Sequence, residues 1–145
     1  MLSVSHYPKA YVDGRRERVD SQVSAYQELV AAANDLARSD ETRLGTAIAT
    51  FESLFFNNMV LVLDNSFLHR SRNMEGKDGN PLNEVRLLCN SMLNNGGVMA
   101  ADKQIRLDPA KSILKYQVGD EIKLSEADFV LLAEAFFAEI GRKYP

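Results

Sequence analysis

Apolar residues recur at helical spacing in four segments of the chain, and each segment predicts an amphipathic helix. The predicted helices cover about 15–38, 41–70, 81–95 and 126–143. Within each of them, apolar positions three or four residues apart fall on one side of a helix. The second segment is apolar on almost every side between Leu54 and Leu63. Such a helix is either the central one of a bundle or one that also contacts a second subunit.

Polar residues interrupt the apolar pattern of the second predicted helix at regular intervals. A seven-residue series contains Leu44, Phe51, Asn58, Asn65 and Arg72. His69 follows Asn65 by one helical turn, and both are expected on the side that carries Leu44 and Phe51. We expect that side to face the core. Because a buried amide without a partner costs about 1–3 kcal/mol, these groups need hydrogen-bond partners, water or a ligand.

Local signals set the expected ends of the helices. Tyr7-Pro8 and Asp13-Gly14 predict an extended N-terminal arm over residues 1–13. Ser39 or Asp40, in the break at 38–41, is expected to cap the second helix. Asn80 before Pro81 predicts the start of the third helix, which Gly96-Gly97 end. Ser125 with Asp128 resembles a capping box at the start of the fourth.

The connection between the third and fourth helices contains two similar stretches, 104–110 and 121–127. Each alternates apolar and basic residues before a capping residue, so the two are expected to pair as a small β-ribbon. Asp108 before Pro109 predicts a short helix that ends near Tyr116. The predicted fold is therefore mainly α: a four-helix core with a short extra helix and a two-stranded ribbon. We expect one helical domain over 1–145.

The third predicted helix also carries a polar stripe, at Asn83, Arg86, Asn90 and Asn94. A loop of about ten residues joins it to the second helix, which favours antiparallel packing of the two. Their polar residues then converge on a pocket that has the 73–80 loop as its rim. Amides and guanidinium groups suit hydrogen bonding to carboxylates or phosphates. The predicted ligand-binding residues are Asn58, Asn65, His69, Arg72, Asn83, Arg86 and Asn90.

Two other interpretations of this stripe remain open. Its residues can form a satisfied polar network that fixes helix register, as buried asparagine does in coiled coils. Alternatively, the second helix turns its asparagine stripe toward a dimer partner. The apolar second helix and the heptad-like first helix lead us to expect a homodimer.

The composition and charge of the chain limit the classes of partner that we expect. The net charge is −3 and the pI is about 5.4, which disfavours nucleic acid as a partner, although a local basic patch stays compatible with one. No signal peptide is visible, and no uninterrupted apolar run reaches the roughly 20 residues of a membrane span. We therefore expect no membrane partner. Cys89 is the single cysteine, which suits the cytoplasm, and we expect it to be buried.

Two functional hypotheses follow from these patterns. The first is a non-enzymatic binding or interaction protein that homodimerises. The second is a small-molecule or phosphate-binding protein, whether or not it is an enzyme, whose polar pocket takes a small anionic ligand. One helical histidine without a paired carboxylate does not identify catalytic residues. No metal-ligand spacing or cofactor motif occurs, so we expect no metal and no cofactor.

Overall fold

The computed structural model describes residues 3–36 and 42–145, and this part of the chain is mainly helical. Its helices are α1 (Lys9–Leu36), α2 (Thr42–Ser66), α3 (Arg72–Glu75), α4 (Pro81–Asn94) and α5 (Glu126–Lys143). The four long helices correspond to the four predicted ones, which confirms the mainly α, four-helix core. The single-turn α3 is an addition at the start of the predicted 73–80 loop. The predicted break at 38–41, with its caps Ser39 or Asp40, lies outside the described residues.

The N-terminal arm is shorter than predicted. α1 begins at Lys9 because the carbonyl of Pro8 already accepts hydrogen bonds from the amides of Tyr11 and Val12, at 3.0 and 3.2 Å. The Asp13-Gly14 pair therefore lies inside the helix and not before it. The remaining extended residues dock on the fold, since Val4 forms a parallel bridge with Arg70.

The predicted caps of the last two long helices are confirmed. The Asn80 side chain accepts hydrogen bonds from the amides of Leu82 and Asn83, at 2.9 and 3.3 Å. Ser125 and Asp128 form a reciprocal capping box, with both hydrogen bonds at 3.1 Å. Each cap satisfies helix amides that would otherwise lack acceptors.

The core lies where α2, α4 and α5 pack against one another, and α1 crosses α2 and α5. Side chains with no exposed surface come from each of these three central helices, and they include Phe56, Leu63, Leu88, Phe129 and Phe136. Burying one such side chain contributes about 1.5–3 kcal/mol. α2 and α4 run antiparallel, as the short connection predicts, because Arg70 just after α2 contacts the carbonyl of Leu82 at the start of α4, and Cys89 farther along α4 contacts that of Val60.

The predicted β-ribbon is wrong. Among the described residues, β pairing is confined to two isolated bridges, Val4 with Arg70 and Val98 with Glu121. The 104–107 stretch instead approaches the loop before α4, where the amide of Arg106 donates to the carbonyl of Lys77. The 121–124 stretch bonds to the side chain of Asn57 on α2. Asn57 donates to the carbonyl of Ile122 at 2.8 Å and accepts from the amide of Leu124 at 3.0 Å.

The predicted short helix after Asp108 is also wrong, because it amounts to one turn. The carbonyl of Asp108 accepts from the amides of Lys111 and Ser112, as at the start of a helix. The next amides, of Ile113 and Leu114, donate instead to the buried carboxylate of Glu84 on α4, at 2.7 and 2.9 Å. A helix cannot continue when these amides are bonded elsewhere.

α2 exposes much of its apolar surface. By length and composition, the segment Arg43–Ser66 could cross a membrane, and 22% of its most apolar window is buried. A single helix of this kind is weak evidence of membrane insertion, because core helices of other proteins have the same composition. The rest of the described chain therefore covers only part of α2.

We predict that Glu84→Ala destabilises the fold by about 2–4 kcal/mol, because two amides of the 112–114 turn lose their acceptor. Urea unfolding measures this loss, and hydrogen exchange should accelerate at Ile113 and Leu114. Glu121→Ala, an exposed position in the same connection, is the control and should change the free energy of unfolding by less than about 0.5 kcal/mol. Unchanged exchange at both amides in Glu84→Ala would contradict the prediction.

Candidate functional site

The asparagine stripe of α2 lies on the protein surface. Asn58, Asn65 and His69 are all exposed, so the expectation that this side faces the core is wrong. The core side of α2 and of the turn that follows it carries Phe56, Met59, Val60, Leu63 and Phe67. Helical geometry places these residues on roughly the opposite side of α2.

The exposed side of α2 carries a second seven-residue series, three residues after the first. This series consists of Leu54, Leu61 and Leu68, of which Leu61 is half-buried and Leu68 lies in the turn just after the helix. Together the two series give the alternating spacing of three and four that forms the contact line of a coiled coil. We call this line the α2 seam, and its residues are Phe51, Leu54, Asn58, Leu61, Asn65 and Leu68.

A groove runs between α2 and α4 beside the seam and has two ends of different character. The apolar end has a volume of about 380 Å³ and is lined mainly by Leu61, Val62, Asn65, Leu68, Cys89 and Leu93. The polar end has a volume of about 300 Å³, and its polar lining comes from Asp64, Arg72, Arg86, Asn90, Asn94 and Asp102. Asp64, Cys89 and Leu93 contribute to both ends, so the two are continuous.

The groove brings together some of the seven predicted ligand-binding residues. Arg72, Arg86 and Asn90 line its polar end, and Asn65 lines its apolar end. Asn58 and His69 do not line the groove, and Asn83 is buried beneath it. The 73–80 loop is not its rim, because Arg72 and Asp102 border the polar end instead. Ligand binding by these residues stays a prediction.

A buried carboxylate, Glu75, lies beneath the polar end. Its Oε1 accepts from Arg70 Nε at 2.7 Å and from Arg86 Nη2 at 2.6 Å. Its Oε2 accepts from Arg86 Nε at 3.0 Å and from Asn83 Nδ2 at 2.9 Å. The side chains of Glu75 and Arg70 are fully buried, and that of Arg86 is 18% exposed. We call these four residues the Glu75 network.

The network determines the ionisation of its members. Burial alone would raise the pKa of Glu75, but the hydrogen bond from Arg86 and the charges of Arg70 and Arg86 outweigh burial and hold this pKa below its usual value of 4.5. Burial opposes the charge of Arg86 in the same way, and its bond to Glu75 raises its pKa. Both groups are therefore ionised at neutral pH.

Arg70 extends the network to the end of α2. Its Nη1 donates to the carbonyl of Phe67 at 3.1 Å and lies 2.9 Å from Asp64 Oδ1. The second contact is an ion pair without hydrogen-bond geometry, so the buried Oδ1 accepts no hydrogen bond. The network thus joins α2, α3 and α4 through charged groups that the predicted site did not include.

α5 is attached to the same region from its C-terminal end. Lys143 Nζ donates to the carbonyl of Glu75 at 2.7 Å, and the Tyr144 hydroxyl donates to the carbonyl of Ser71 at 2.8 Å. Neither Arg70 nor Glu75 has a sequence signal that distinguishes it from a solvent-exposed charge. Both fall where the pattern predicts the end of a helix and a polar loop.

Cys89 is buried, as predicted, and its thiol donates to the carbonyl of Val60 at 3.5 Å. Burial raises the pKa of this thiol well above its usual value, which keeps it protonated and unreactive.

Across 3–36 and 42–145, no three or more His, Cys, Asp or Glu side chains are grouped so that they could hold a metal ion. The residues that line the polar end offer hydrogen bonds and charges of both signs.

Comparison with known proteins gives no family assignment. No protein-family model, no curated protein and no solved structure matches this chain.

We predict that Glu75→Gln lowers the stability of the fold by about 3 kcal/mol at pH 7, because Arg70 and Arg86 lose a buried counter-charge. The folded-state pKa of Glu75 is depressed, so its contribution is complete above about pH 4.5 and is lost as the pH falls through the folded-state pKa. The difference between the two proteins should therefore shrink in acid. Chemical denaturation at a series of pH values measures it.

The matched control for this prediction is Lys123→Gln. Lys123 forms an ion pair with Glu121 in which both side chains are more than 60% exposed, at 63% and 68%. Because exposed pairs contribute about 0–1 kcal/mol, this variant should be nearly as stable as the original protein. A Glu75→Gln variant with an unchanged free energy of unfolding at pH 7 would show that the network does not stabilise the fold.

Proposed function

We propose that this chain is a non-enzymatic interaction protein that forms a homodimer through the α2 seam. The observation that carries the proposal is an exposed apolar line with coiled-coil spacing. Leu54 and Leu68 on this line are 61% and 51% exposed, and Phe51 is 44% exposed. Leu93 on α4, which is 68% exposed and lines the groove, adds to the same surface. Several exposed apolar residues along one side of a helix are typical of an interaction surface.

The seam itself indicates which partner fits it. Leucine occupies one of the two alternating positions, and Asn58 and Asn65 occupy the other. In a parallel two-stranded coiled coil, equivalent positions of the two helices face each other. Each asparagine then meets its own copy and can exchange hydrogen bonds with it, while leucine meets leucine. The seam is thus complementary to itself under two-fold symmetry, which favours a second copy as its partner.

The polar contacts of α2 favour a protein partner over a membrane. Glu52 accepts hydrogen bonds from the Tyr26 hydroxyl and from the amide of Glu126. Asn57 binds the backbone of the connection before α5, and Asp64 pairs with Arg70. These bonds attach α2 to its neighbours around the bundle. In a membrane, the seam amides would also lie in hydrocarbon without water.

We predict that Leu54→Glu makes the protein monomeric, because two carboxylates would meet across the two-fold axis in an apolar contact. Size-exclusion chromatography with light scattering measures the molar mass. The control is Leu131→Glu on α5, where the leucine is similarly exposed at 55% but lies off the seam. The control should remain a dimer. A monomeric original protein, or a dimeric Leu54→Glu variant, would overturn the proposal.

The parallel arrangement has its own test. In a Cys89→Ser background, Asn65→Cys should form an intermolecular disulfide under mild oxidation, because equivalent residues lie close together across the axis. Ser21→Cys, at an exposed position on α1, should form little. Absence of the Asn65→Cys disulfide in a protein that is dimeric by light scattering would exclude parallel seam pairing. Binding of the original protein to lipid vesicles with loss of the dimer would favour a membrane partner instead.

A further inference from the structure

The polar end of the α2–α4 groove combines charges of both signs in a small space. Two carboxylates, two guanidinium groups and two amides face a volume of about 300 Å³, at the lower limit of ligand sites. They are Asp64, Asp102, Arg72, Arg86, Asn90 and Asn94. Asn94 donates to Asn90 at 2.7 Å, which leaves the amide nitrogen of Asn90 as a donor for another group. The dimer proposed above does not use these charged groups.

Arg86 is positioned for binding by the buried network. Glu75 engages Nε and Nη2 of Arg86 along one edge of the guanidinium group, which leaves Nη1 for another acceptor. Because Glu75 is itself held by Arg70 and Asn83, the orientation of Arg86 is fixed before any ligand arrives. A fixed guanidinium group loses little conformational entropy on binding a carboxylate.

Asp102 and Arg72 also border this end. Asp102 Oδ1 accepts from the amides of Gln104 and Ile105, at 2.7 and 3.0 Å, which holds the carboxylate in place. These bonds, with smaller effects from the charges of Arg72 and Arg86, keep the pKa of Asp102 below its usual value. Arg72 is exposed on α3 and forms no ion pair within the described part of the chain.

The balance of these charges indicates the class of ligand. A phosphate would approach both guanidinium groups but would also meet the carboxylates of Asp64 and Asp102. A simple cation would approach both carboxylates but would also meet the guanidinium groups of Arg72 and Arg86. A molecule with separated charges can satisfy both pairs at once.

We infer that the polar end binds a small zwitterion. Its carboxylate lies on Arg72 and Arg86, and its ammonium group lies on Asp64 and Asp102. The amide of Asn90 supplies a further donor to the ligand carboxylate. This inference goes beyond the proposed dimer, since it assigns a ligand to a surface next to the seam.

The first experiment compares probes that carry one or both charges. Glycine, β-alanine and γ-aminobutyrate carry both charges at increasing separation, whereas acetate, ethylammonium and inorganic phosphate carry one sign. Nuclear magnetic resonance titration follows the side-chain amides of Asn90 and Asn94 and the Nε–H group of Arg72. One of the zwitterions should bind at least about tenfold more tightly than every singly signed probe, a difference of about 1.4 kcal/mol. Equal or tighter binding of acetate or phosphate would overturn the inference, as would no saturable shift with any zwitterion.

Two variants then test the assigned contacts without disturbing the buried network. Arg72→Gln removes one guanidinium group, and Asp102→Asn removes one charge while an amide oxygen still accepts from the 104–105 amides. Each should weaken binding of the preferred zwitterion by about tenfold or more. The control, Lys123→Gln, should bind as the original protein does. Original-level affinity in both Arg72→Gln and Asp102→Asn would overturn the assignment, and unchanged melting temperatures would show that both variants are folded.

The experiments distinguish failure of the seam dimer from failure of the zwitterion site. Light scattering of the Arg72→Gln variant should still show a dimer, because Arg72 lies outside the α2 seam. Loss of zwitterion binding with an intact dimer supports the ligand site alone. A monomeric original protein that binds the zwitterion overturns the seam proposal and leaves the site in place.

Discussion

The arrangement of α2, α3 and α4 depends on one buried negative charge, that of Glu75. Two guanidinium groups and an amide converge on its carboxylate, and the side chain of Glu75 has no exposed surface. Arg70 reaches it from just beyond α2, and Arg86 and Asn83 reach it from α4. Lys143 binds its carbonyl from α5. A buried ion pair need not stabilise a fold more than apolar packing would. Removing one member, however, leaves the other charges buried without a counter-charge, which is destabilising. The position of Arg86 above the network, and hence the polar end of the groove, follows from this constraint.

Features of the fold that depend on neighbouring residues were predictable from the sequence. The caps at Asn80 and at Ser125 with Asp128 are local, because donor and acceptor lie within three residues of each other. The connection between α4 and α5 was not predictable, although its alternating pattern resembles strands. Glu84 and Asn57, from two other helices, take up its backbone groups as a neighbouring strand would. Such contacts join residues 29–67 positions apart, so no local pattern contains them.

The candidate site shows a different limit of sequence analysis. A seven-residue series identifies one side of α2, but periodicity alone does not say whether that side faces the core or the solvent. α2 carries apolar residues on both sides, and three neighbouring helices cover the side with Phe56 and Leu63. The offset leucines at 54, 61 and 68 were the missed signal, since strict seven-residue spacing is typical of a contact between helices that coil around each other. Arg86 and Asn90 line the groove because the stripe on α4 borders its apolar side, and ligand binding by them stays a prediction.

Burial and hydrogen-bond saturation separate the polar residues of this region by role. Glu75 and Asn83 are buried, and their polar atoms are engaged by groups of the same chain, so they hold the structure and offer nothing to a partner. Arg72 and Asn90 are exposed, and within the described part of the chain their side-chain donors form no hydrogen bond. Asp64 combines the two roles, because it pairs with Arg70 and also lines both ends of the groove. A substitution at the buried positions therefore reports on folding, whereas a substitution at the exposed positions reports on binding. The polar stripe of α4 thus extends from the buried network, at Asn83 and Arg86, to the lining of the groove, at Arg86 and Asn90.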